Sequence, residues 1–379
     1  MIKTIISFLK YPENRAVGFC FLAIALGFGA WVTRLPEIKA SLAISEAELG
    51  TALFFMPLGL VSLMPFYSKI INKLGERKTI VISLIFFLLC IIWMSVVSSH
   101  IELMVSLYLM GLGLGLTDVS MNAVAVETEK QKGRVIMSAC HGFFSVGGMF
   151  GAFMAAGFIT FNVALWVQSV IISILLFVLL LIVKKHLVET HEKVESKGFQ
   201  LPQKRVLILA VICFCIFMSE GGITDWSTIY LRDTLIASGQ LSGFGFAGFS
   251  LLMAIGRFNG DNWILKFGAK KLVVAGAFLA IAGLGLTIVK DVYLAILGFS
   301  LAGFGYSVIV PTMFSASARV DGVPPNQGIA SVASAGYVGL LVGPVLIGFI
   351  AEGYGLANGF FFLLLLTATS LLLSMKALK

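Results

Sequence analysis

Long apolar stretches separated by short polar connections run along the whole sequence. A helix rises about 1.5 Å per residue, so about 20 apolar residues cross the hydrocarbon core of a bilayer. The stretches that reach this length are residues 16–38, 46–70, 79–99, 103–126, 135–159, 163–183, 206–230, 241–265, 272–289, 292–316, 328–351 and 357–375. The pattern therefore predicts an all-α polytopic membrane protein with twelve transmembrane helices, numbered here as spans 1 to 12.

The longest polar interruption, Lys184 to Arg205, lies between spans 6 and 7. It predicts an N-terminal six-helix bundle over residues 1–183, a linker over residues 184–205 and a C-terminal six-helix bundle over residues 206–379. Spans 3, 6, 9 and 12 contain no ionisable residue, so we expect them to face lipid. This period of three helices predicts two three-helix repeats in each pseudo-symmetric half.

Composition agrees with this class, since 59% of the residues are hydrophobic and 12% are charged, far from the average of a soluble domain. With the N-terminus in the cytoplasm, twenty-two of the 27 Lys and Arg residues fall on the cytoplasmic side and four on the outer side. The positive-inside rule then predicts cytoplasmic termini and a multi-pass location in the bacterial cytoplasmic (inner) membrane. The net charge of +8 follows from topology, and we expect no nucleic-acid partner.

Other patterns exclude several kinds of site. The segment from Met1 to Lys10 is too short and too weakly apolar for a cleaved signal, so we expect span 1 to remain as an anchor. The sequence has no nucleotide-binding loop, zinc motif or nucleophile elbow; we expect no catalytic residue, no metal and no cofactor, and hence no enzyme. Five cysteines in apolar stretches are interpreted as reduced packing residues: Cys20, Cys90, Cys140, Cys213 and Cys215.

Span 4 carries a carboxylate in a stripe of small residues. Gly111, Gly115, Asp118 and Asn122 fall within about 60° of one another on a helix. An ionised Asp in mid-bilayer costs at least ~2.5 kcal/mol, so a retained one usually has a partner or a function. We predict that Asp118 carries a proton and that Asp118 and Asn122 bind a solute. The alternative is a structural hydrogen bond between two tightly packed helices.

Span 5 repeats this stripe with His141, Ser145, Gly148 and Ala152. Counted from the nearest loops, Asp118 and His141 lie at similar depths of roughly 13 and 10 Å. Because imidazole changes charge near neutral pH, we hypothesise an Asp118–His141 couple that holds or passes a proton, with His141 also binding solute. A purely structural pair is again the alternative.

Span 7 contains two acids. Glu220 lies near its middle and is predicted to bind solute and to take part in proton coupling. Asp225 is about 140° away on a helix, so both acids can face one cavity only if the helix breaks at Gly221-Gly222. Asp225 and Trp226, nearer the outer boundary, are predicted to gate; a structural cap and an interfacial Trp anchor are the alternatives.

Span 8 ends with a basic and an acidic residue one turn apart. Arg257 and Asp261 are spaced i,i+4, so we predict an ion pair that acts as a conformational latch. The loops 72–78 and 260–271 occupy matching places in the two halves, and both combine Gly with basic residues. A capped, positive-inside turn would give the same loop pattern.

Two tyrosines complete the candidate site. Tyr306 and Tyr337, in spans 10 and 11, have rings suited to stacking on a sugar, with ordinary packing as the alternative. Span 10 also contains Pro311, which predicts a kink.

Three motifs resemble those of one transporter branch. Gly113 to Asn122, Gly256-Arg257-Phe258-x-Gly260 and Tyr306 with Pro311 to Ser315 resemble the fourth-, eighth- and tenth-helix patterns of the fucose-permease-like sugar:proton symporters of the major facilitator superfamily. The resemblance implies two halves that rock about a central site and a coupling or sugar-binding role for Asp118. It also places His141 at a polar cavity position of helix 5.

The sequence departs from that branch at two positions. No carboxylate occurs between Ala16 and Trp31, where the symporters have a first-helix acid, and Asn72 replaces the usual Asp of the loop after helix 2. We therefore expect Asp118, with Glu220, to provide more of the coupling.

We predict a secondary active transporter that moves a small polar solute, a sugar or related metabolite, by alternating access and proton symport. Its partners are the solute, a proton or other cation, and the lipid bilayer, and we expect a monomer. The alternatives are a proton-driven exporter of drugs or metabolites and a non-transporting membrane receptor of the same fold.

Overall fold

A computed structural model describes residues 2–133, 136–189, 202 and 204–378. These residues form sixteen α-helices and no β-strand. The helices are α1 (Ile2–Leu9), α2 (Pro12–Val32), α3 (Leu35–Leu42), α4 (Glu46–Ser62), α5 (Tyr67–Leu74), α6 (Glu76–Met94), α7 (His100–Lys132), α8 (Met137–Thr160), α9 (Leu165–Val183), α10 (Leu207–Ile229), α11 (Gly239–Phe267), α12 (Ala269–Thr287), α13 (Val292–Tyr306), α14 (Ile309–Ser317), α15 (Pro325–Tyr354) and α16 (Leu356–Ala377). Within the described residues, twelve helical segments are long and apolar enough to cross a membrane, which confirms the predicted fold class.

Several boundaries differ from the predicted spans for local reasons. Span 1 ends at Val32, and the chain continues in the short helix α3. Span 2 is interrupted by a 3-10 turn over Met64–Phe66, where Pro65 cannot donate a helical hydrogen bond. Span 10 is divided between α13 and α14, because Pro311 cannot donate to the carbonyl of Ser307. The break considered at Gly221-Gly222 is absent, since α10 is continuous there.

Glycines form the turns that close two matching helix connections. Gly75 follows α5 with φ 80°, and Gly268 follows α11 with φ 84°. Residues with a Cβ rarely adopt this conformation, whereas glycine adopts it readily. The same turn thus recurs between spans 2 and 3 and between spans 8 and 9.

The helices pack as two groups joined by two helix pairs. Among spans 1 to 6, α2 packs on α8, and α7 packs on α4 and α6. Among spans 7 to 12, α10 packs on α15 and α16, and α13 packs on α11 and α12. The pairs α8–α11 and α4–α15 make the main contacts between the groups. Several of the candidate functional side chains lie at or beside these two helix pairs.

Twelve crossings leave both chain ends on the same face, here called the terminal face. The opposite face, here called the far face, carries α3 and the connections 95–99, 161–164, 230–238 and 288–291. On α9, large apolar side chains such as Ile174 and Ile182 are exposed, as expected for a helix that faces lipid.

Candidate functional site

Several of the predicted polar residues form two clusters, each of which contains side chains from both halves. The first, called the Asp118 cluster, consists of Asp118, Asn122, Tyr67 and Tyr337. The amide of Asn122 donates to the carboxylate Oδ1 of Asp118 at 3.2 Å and to the Asp118 backbone carbonyl at 2.8 Å. Tyr67 and Tyr337 lie close enough to Asp118 for the charge of its carboxylate to act on their hydroxyl groups. Because Tyr337 belongs to α15, this cluster joins the halves beside the α4–α15 contact.

The environment of Asp118 suits a carboxylate that changes its protonation state. Asp118 lies fourteen residues before the end of α7 at Lys132, which is about 21 Å along the helix. Among the described residues no cation forms an ion pair with Asp118, and its side-chain partner is the neutral amide of Asn122. A carboxylate inside a membrane span without a cation partner is costly and usually marks a function.

The second group, called the Arg257 cluster, consists of Arg257, Glu220, Ser145 and His141. Arg257 Nη2 lies 3.2 Å from Glu220 Oε1, and Arg257 Nη1 donates to Ser145 Oγ at 3.1 Å. The residues come from α11, α10 and α8, so Arg257 connects the two halves. His141 lies within electrostatic range of Arg257, and its ring is 5.2 Å from that of Phe21 in a T-shaped contact.

One hypothesised pair, Asp118 with His141, is not formed in this structure, and the other, Arg257 with Asp261, falls partly outside the described side chains. Both Asp118 and His141 are described, and no hydrogen bond joins them; α7 packs mainly on α4 and α6, whereas α8 packs mainly on α2 and α11. Arg257 forms its ion pair with Glu220. The side chain of Asp261, its predicted partner, lies outside the described residues. His141 and Glu220 are therefore associated through Arg257 and not with Asp118.

The two candidate tyrosines occupy different environments. Tyr337 is half-buried and packs near Phe217, with ring centroids 6.4 Å apart. Tyr306 is only 1% exposed, and its hydroxyl lies 2.6 Å from Thr367 Oγ1. That hydrogen bond connects α13 to α16 within one half. Tyr337 is therefore partly accessible in this conformation, whereas Tyr306 is enclosed, and the solute-binding roles of both stay predictions.

The predicted gate residues Asp225 and Trp226 are both buried. Because α10 is continuous, Asp225 points away from Glu220, and it forms no hydrogen bond or ion pair with any described residue. The Trp226 ring is fully buried beside Gly348 of α15, so it is not an interfacial anchor at the lipid headgroups. It lies instead at the α4–α15 joint, and its gating role stays a prediction.

The loop after span 2 holds the beginning of the predicted linker. Arg77 donates to the carbonyl oxygen of Leu187 at 2.7 and 3.2 Å, and its Nε lies 3.5 Å from a carboxylate oxygen of Glu189. These contacts attach the start of the linker to the connection between spans 2 and 3.

Sequence reasoning missed a group of ion pairs on the far face, here called the far-face clamp. Lys39 Nζ lies 2.6 Å from Glu46 Oε1 in the first half and 3.1 Å from Asp233 Oδ2 in the second. Arg232 Nη1 lies 3.8 Å from Glu37 Oε1 and forms another link between the halves. The signal was the presence of acids and bases in the loops after spans 1 and 7, which are matching loops of the two halves.

Lys39 is the centre of the clamp. Burial acts to lower the pKa of Lys39, but its hydrogen bonds to Glu46 and Asp233 outweigh burial, and the pKa lies above its ordinary value. A lysine with a raised pKa stabilises the paired state below its ordinary pKa and loses that contribution as the pH rises through the raised value. Lys39 therefore remains charged at neutral pH, and the clamp remains formed.

We expect Lys39→Gln to weaken closure of the far face. Partly exposed ion pairs contribute up to about 1 kcal/mol each, so the ratio of closed to open molecules should fall by up to about fivefold per lost pair. The measurement is the distance distribution between spin labels on far-face loops of the two halves. Lys290→Gln is the matched control, because this exposed far-face lysine takes no part in the clamp. An unchanged distribution in Lys39→Gln would contradict a closing role.

Comparisons with known proteins agree with this architecture. The family model of the Major Facilitator Superfamily matches residues 17–320 and 209–379. An uncharacterized MFS-type transporter of Yersinia pestis is 32% identical over 354 residues, which are 92% of each chain. The sialic acid transporter NanX of Escherichia coli is 26% identical over 367 residues, which are 86% of this chain and 84% of NanX.

The fold also matches solved transporter structures. A bacterial homolog of the human lysosomal transporter Spinster, crystallised in an inward-facing and occupied conformation, superposes with a TM-score of 0.75 at 12% identity, over 96% of this chain and 95% of the homolog. These relatives and structural neighbours are transporters and not enzymes. The chain is a multi-pass membrane transporter that belongs to the Major Facilitator Superfamily.

Proposed function

We propose that the protein is a secondary active transporter that moves a small polar solute, a sugar or related metabolite, by proton-coupled symport. The observation that carries this proposal is Asp118, a carboxylate deep in α7 whose side-chain partner is the neutral Asn122. The similarity to a transporter of sialic acid and the motifs resembling the fucose-permease-like branch support a sugar-related solute. Asp118 is the principal proton-binding group, and Asn122 and Tyr337 are solute contacts beside it.

Alternating access takes place by rocking of the two halves, residues 1–183 and 206–379, with residues 184–205 as the linker. The contacts between the halves are concentrated in the pairs α8–α11 and α4–α15, which supports this motion. The halves can separate at one face when the contacts near that face open, while the contacts near the other face remain. We assign the terminal face to the cytoplasm of a bacterial inner membrane from the distribution of Lys and Arg. The far-face clamp then closes the outer side, and a monomer contains the complete pathway.

Glu220 and His141 have supporting roles in this proposal. Glu220 is held by Arg257 at 3.2 Å, and we assign it a secondary part in solute binding and proton coupling. His141, which lies within the electrostatic influence of Arg257, is assigned a supporting part in proton coupling and solute binding. The two clusters thus place acid groups on both sides of the interface between the halves.

Counterflow and accumulation assays in proteoliposomes test the proposal. We expect entry of a labelled sugar or sugar derivative from a screened set, with accumulation above equilibrium only when the outside is more acidic. Equal final levels with and without a pH gradient would exclude proton symport. Accumulation driven by the opposite gradient would indicate an exporter, and saturable binding without flux would indicate a receptor.

A further inference from the structure

We propose that Arg257 is the binding group for a carboxylate carried by the transported solute, and that this carboxylate takes the place of Glu220. The ligand class is therefore a small hydroxylated carboxylate such as a sugar acid. This inference rests on the proposed function in that it assigns the solute class to the same central site.

Among the described side chains, only two partners use the donors of the Arg257 guanidinium. It has five N–H groups in a planar fork. One donates to Ser145 Oγ at 3.1 Å and one to Glu220 Oε1 at 3.2 Å, and the other three are not paired with any described residue. Glu220 thus holds Arg257 through a single oxygen, whereas a free carboxylate can bind an arginine through two parallel hydrogen bonds.

The pair is also open to a ligand. The side chain of Arg257 is 16% exposed and that of Glu220 is 22% exposed, although both lie in the interior part of membrane-spanning helices. The contact between Arg257 and Ser145 of α8 shows that the guanidinium points to the other half and not to lipid. The residual exposure therefore belongs to space between the halves, where a solute crosses.

Charge balance gives Glu220 a role in the empty site. An unpaired arginine inside the membrane is unfavourable, and an internal carboxylate neutralises it. A solute carboxylate that binds Arg257 must compete with this internal anion. Removal of the charge at position 220 should then strengthen binding of an anionic solute, which is opposite to the result expected if Glu220 itself were a hydrogen-bond acceptor for a neutral sugar.

The Asp118 cluster contains polar groups suited to the rest of such a solute. Asp118, Asn122 and Tyr337 offer an acid, an amide and a phenol at the interface between the halves. These groups suit hydroxyls and a ring, whereas Arg257 suits an anion. A neutral hexose would leave Arg257 unused.

The test measures ligand-induced thermal stabilisation of the purified full-length protein. The probes are D-glucuronate with D-glucose, D-galacturonate with D-galactose, and N-acetylneuraminate with N-acetylmannosamine, each a carboxylate with a neutral counterpart. We expect at least one acid to bind the wild type about tenfold or more tightly than its neutral counterpart, because the neutral probe cannot form the charged hydrogen bonds to Arg257. Glu220→Gln should bind that acid more tightly than the wild type.

Variants at Arg257 complete the test. Arg257→Gln should lose acid binding. Arg257→Lys should bind the acid more weakly than the wild type, and it replaces Arg257→Gln in the test if that variant does not fold. Arg319→Gln, which alters an exposed arginine outside both clusters, should bind as the wild type does. Equal binding of acid and neutral probes, or no acid binding to both the wild type and Glu220→Gln at millimolar concentrations, would overturn the inference.

The outcome separates this inference from the proposed function. Acid binding that depends on Arg257 without proton-driven flux would retain the carboxylate site and reject proton symport. Proton-driven flux of a neutral sugar, with no acid binding, would retain symport and reject the carboxylate site.

Discussion

Asp118→Asn is expected to abolish accumulation of solute against its gradient and to retain exchange of solute across the membrane. The asparagine keeps the size of the side chain and an oxygen that accepts the hydrogen bond from Asn122, which is 3.2 Å from Oδ1 in the wild type. It cannot bind and release a proton. One proton per solute supports about tenfold accumulation per pH unit, and this factor should fall to one.

The measurement compares uptake driven by a pH gradient with counterflow in the same proteoliposomes. Glu127→Gln is the matched control, because Glu127 is an acid on the same helix near the terminal face, where its Oε1 accepts from Gln131 at 2.8 Å. The control should accumulate solute as the wild type does. Full accumulation by Asp118→Asn would move proton coupling elsewhere, and Glu220 would be the next group to test.

The fold was predictable because the bilayer imposes it. A segment in hydrocarbon must satisfy its backbone hydrogen bonds internally, so a run of about 20 apolar residues specifies a helix with little ambiguity. Boundaries were less predictable where proline acts locally. Pro65 and Pro311 interrupt spans 2 and 10, whereas the prolines at 57 and 344 lie inside continuous helices, and the sequence does not distinguish these cases.

The candidate site was predictable only in part. Depth and helical phase identified Asp118, His141 and Glu220 one helix at a time, because buried polar groups are rare in such segments. Their partners depend on which helices adjoin. The sequence predicted similar depths for His141 and Asp118, but α8 and α7 pack on different neighbours, and the charge near His141 is that of Arg257. The pairing of Arg257 with Glu220, thirty-seven residues away, has no local signal.

Gly50→Trp is expected to prevent closure of the far face and to abolish transport. A Cβ at Gly50 would lie 2.6 Å from the carbonyl oxygen of Pro344 and 3.1 Å from the Cα of Gly348. Both are backbone atoms of α15, so the helix itself must move away. The far-face clamp would open, because α4 carries Glu46 at its start. Spin labels at Val96→Cys and Val289→Cys, two exposed far-face positions in opposite halves, should separate by several ångströms relative to the protein with Gly50.

Gly353→Trp provides the matched control for this effect. Gly353 lies on α15 near the same face, and no atom lies within 4 Å of a Cβ built there, so the added side chain should leave the label distance and transport unchanged. The five native cysteines are buried, which directs the labels to the introduced positions. An unchanged distance in Gly50→Trp would show that the α4–α15 contact does not control the far face. A longer distance between the two labels, together with retained solute binding and no flux, would show that the α4–α15 contact must close in each transport cycle. A protein that cannot close its far face cannot complete the change of access that carries solute across.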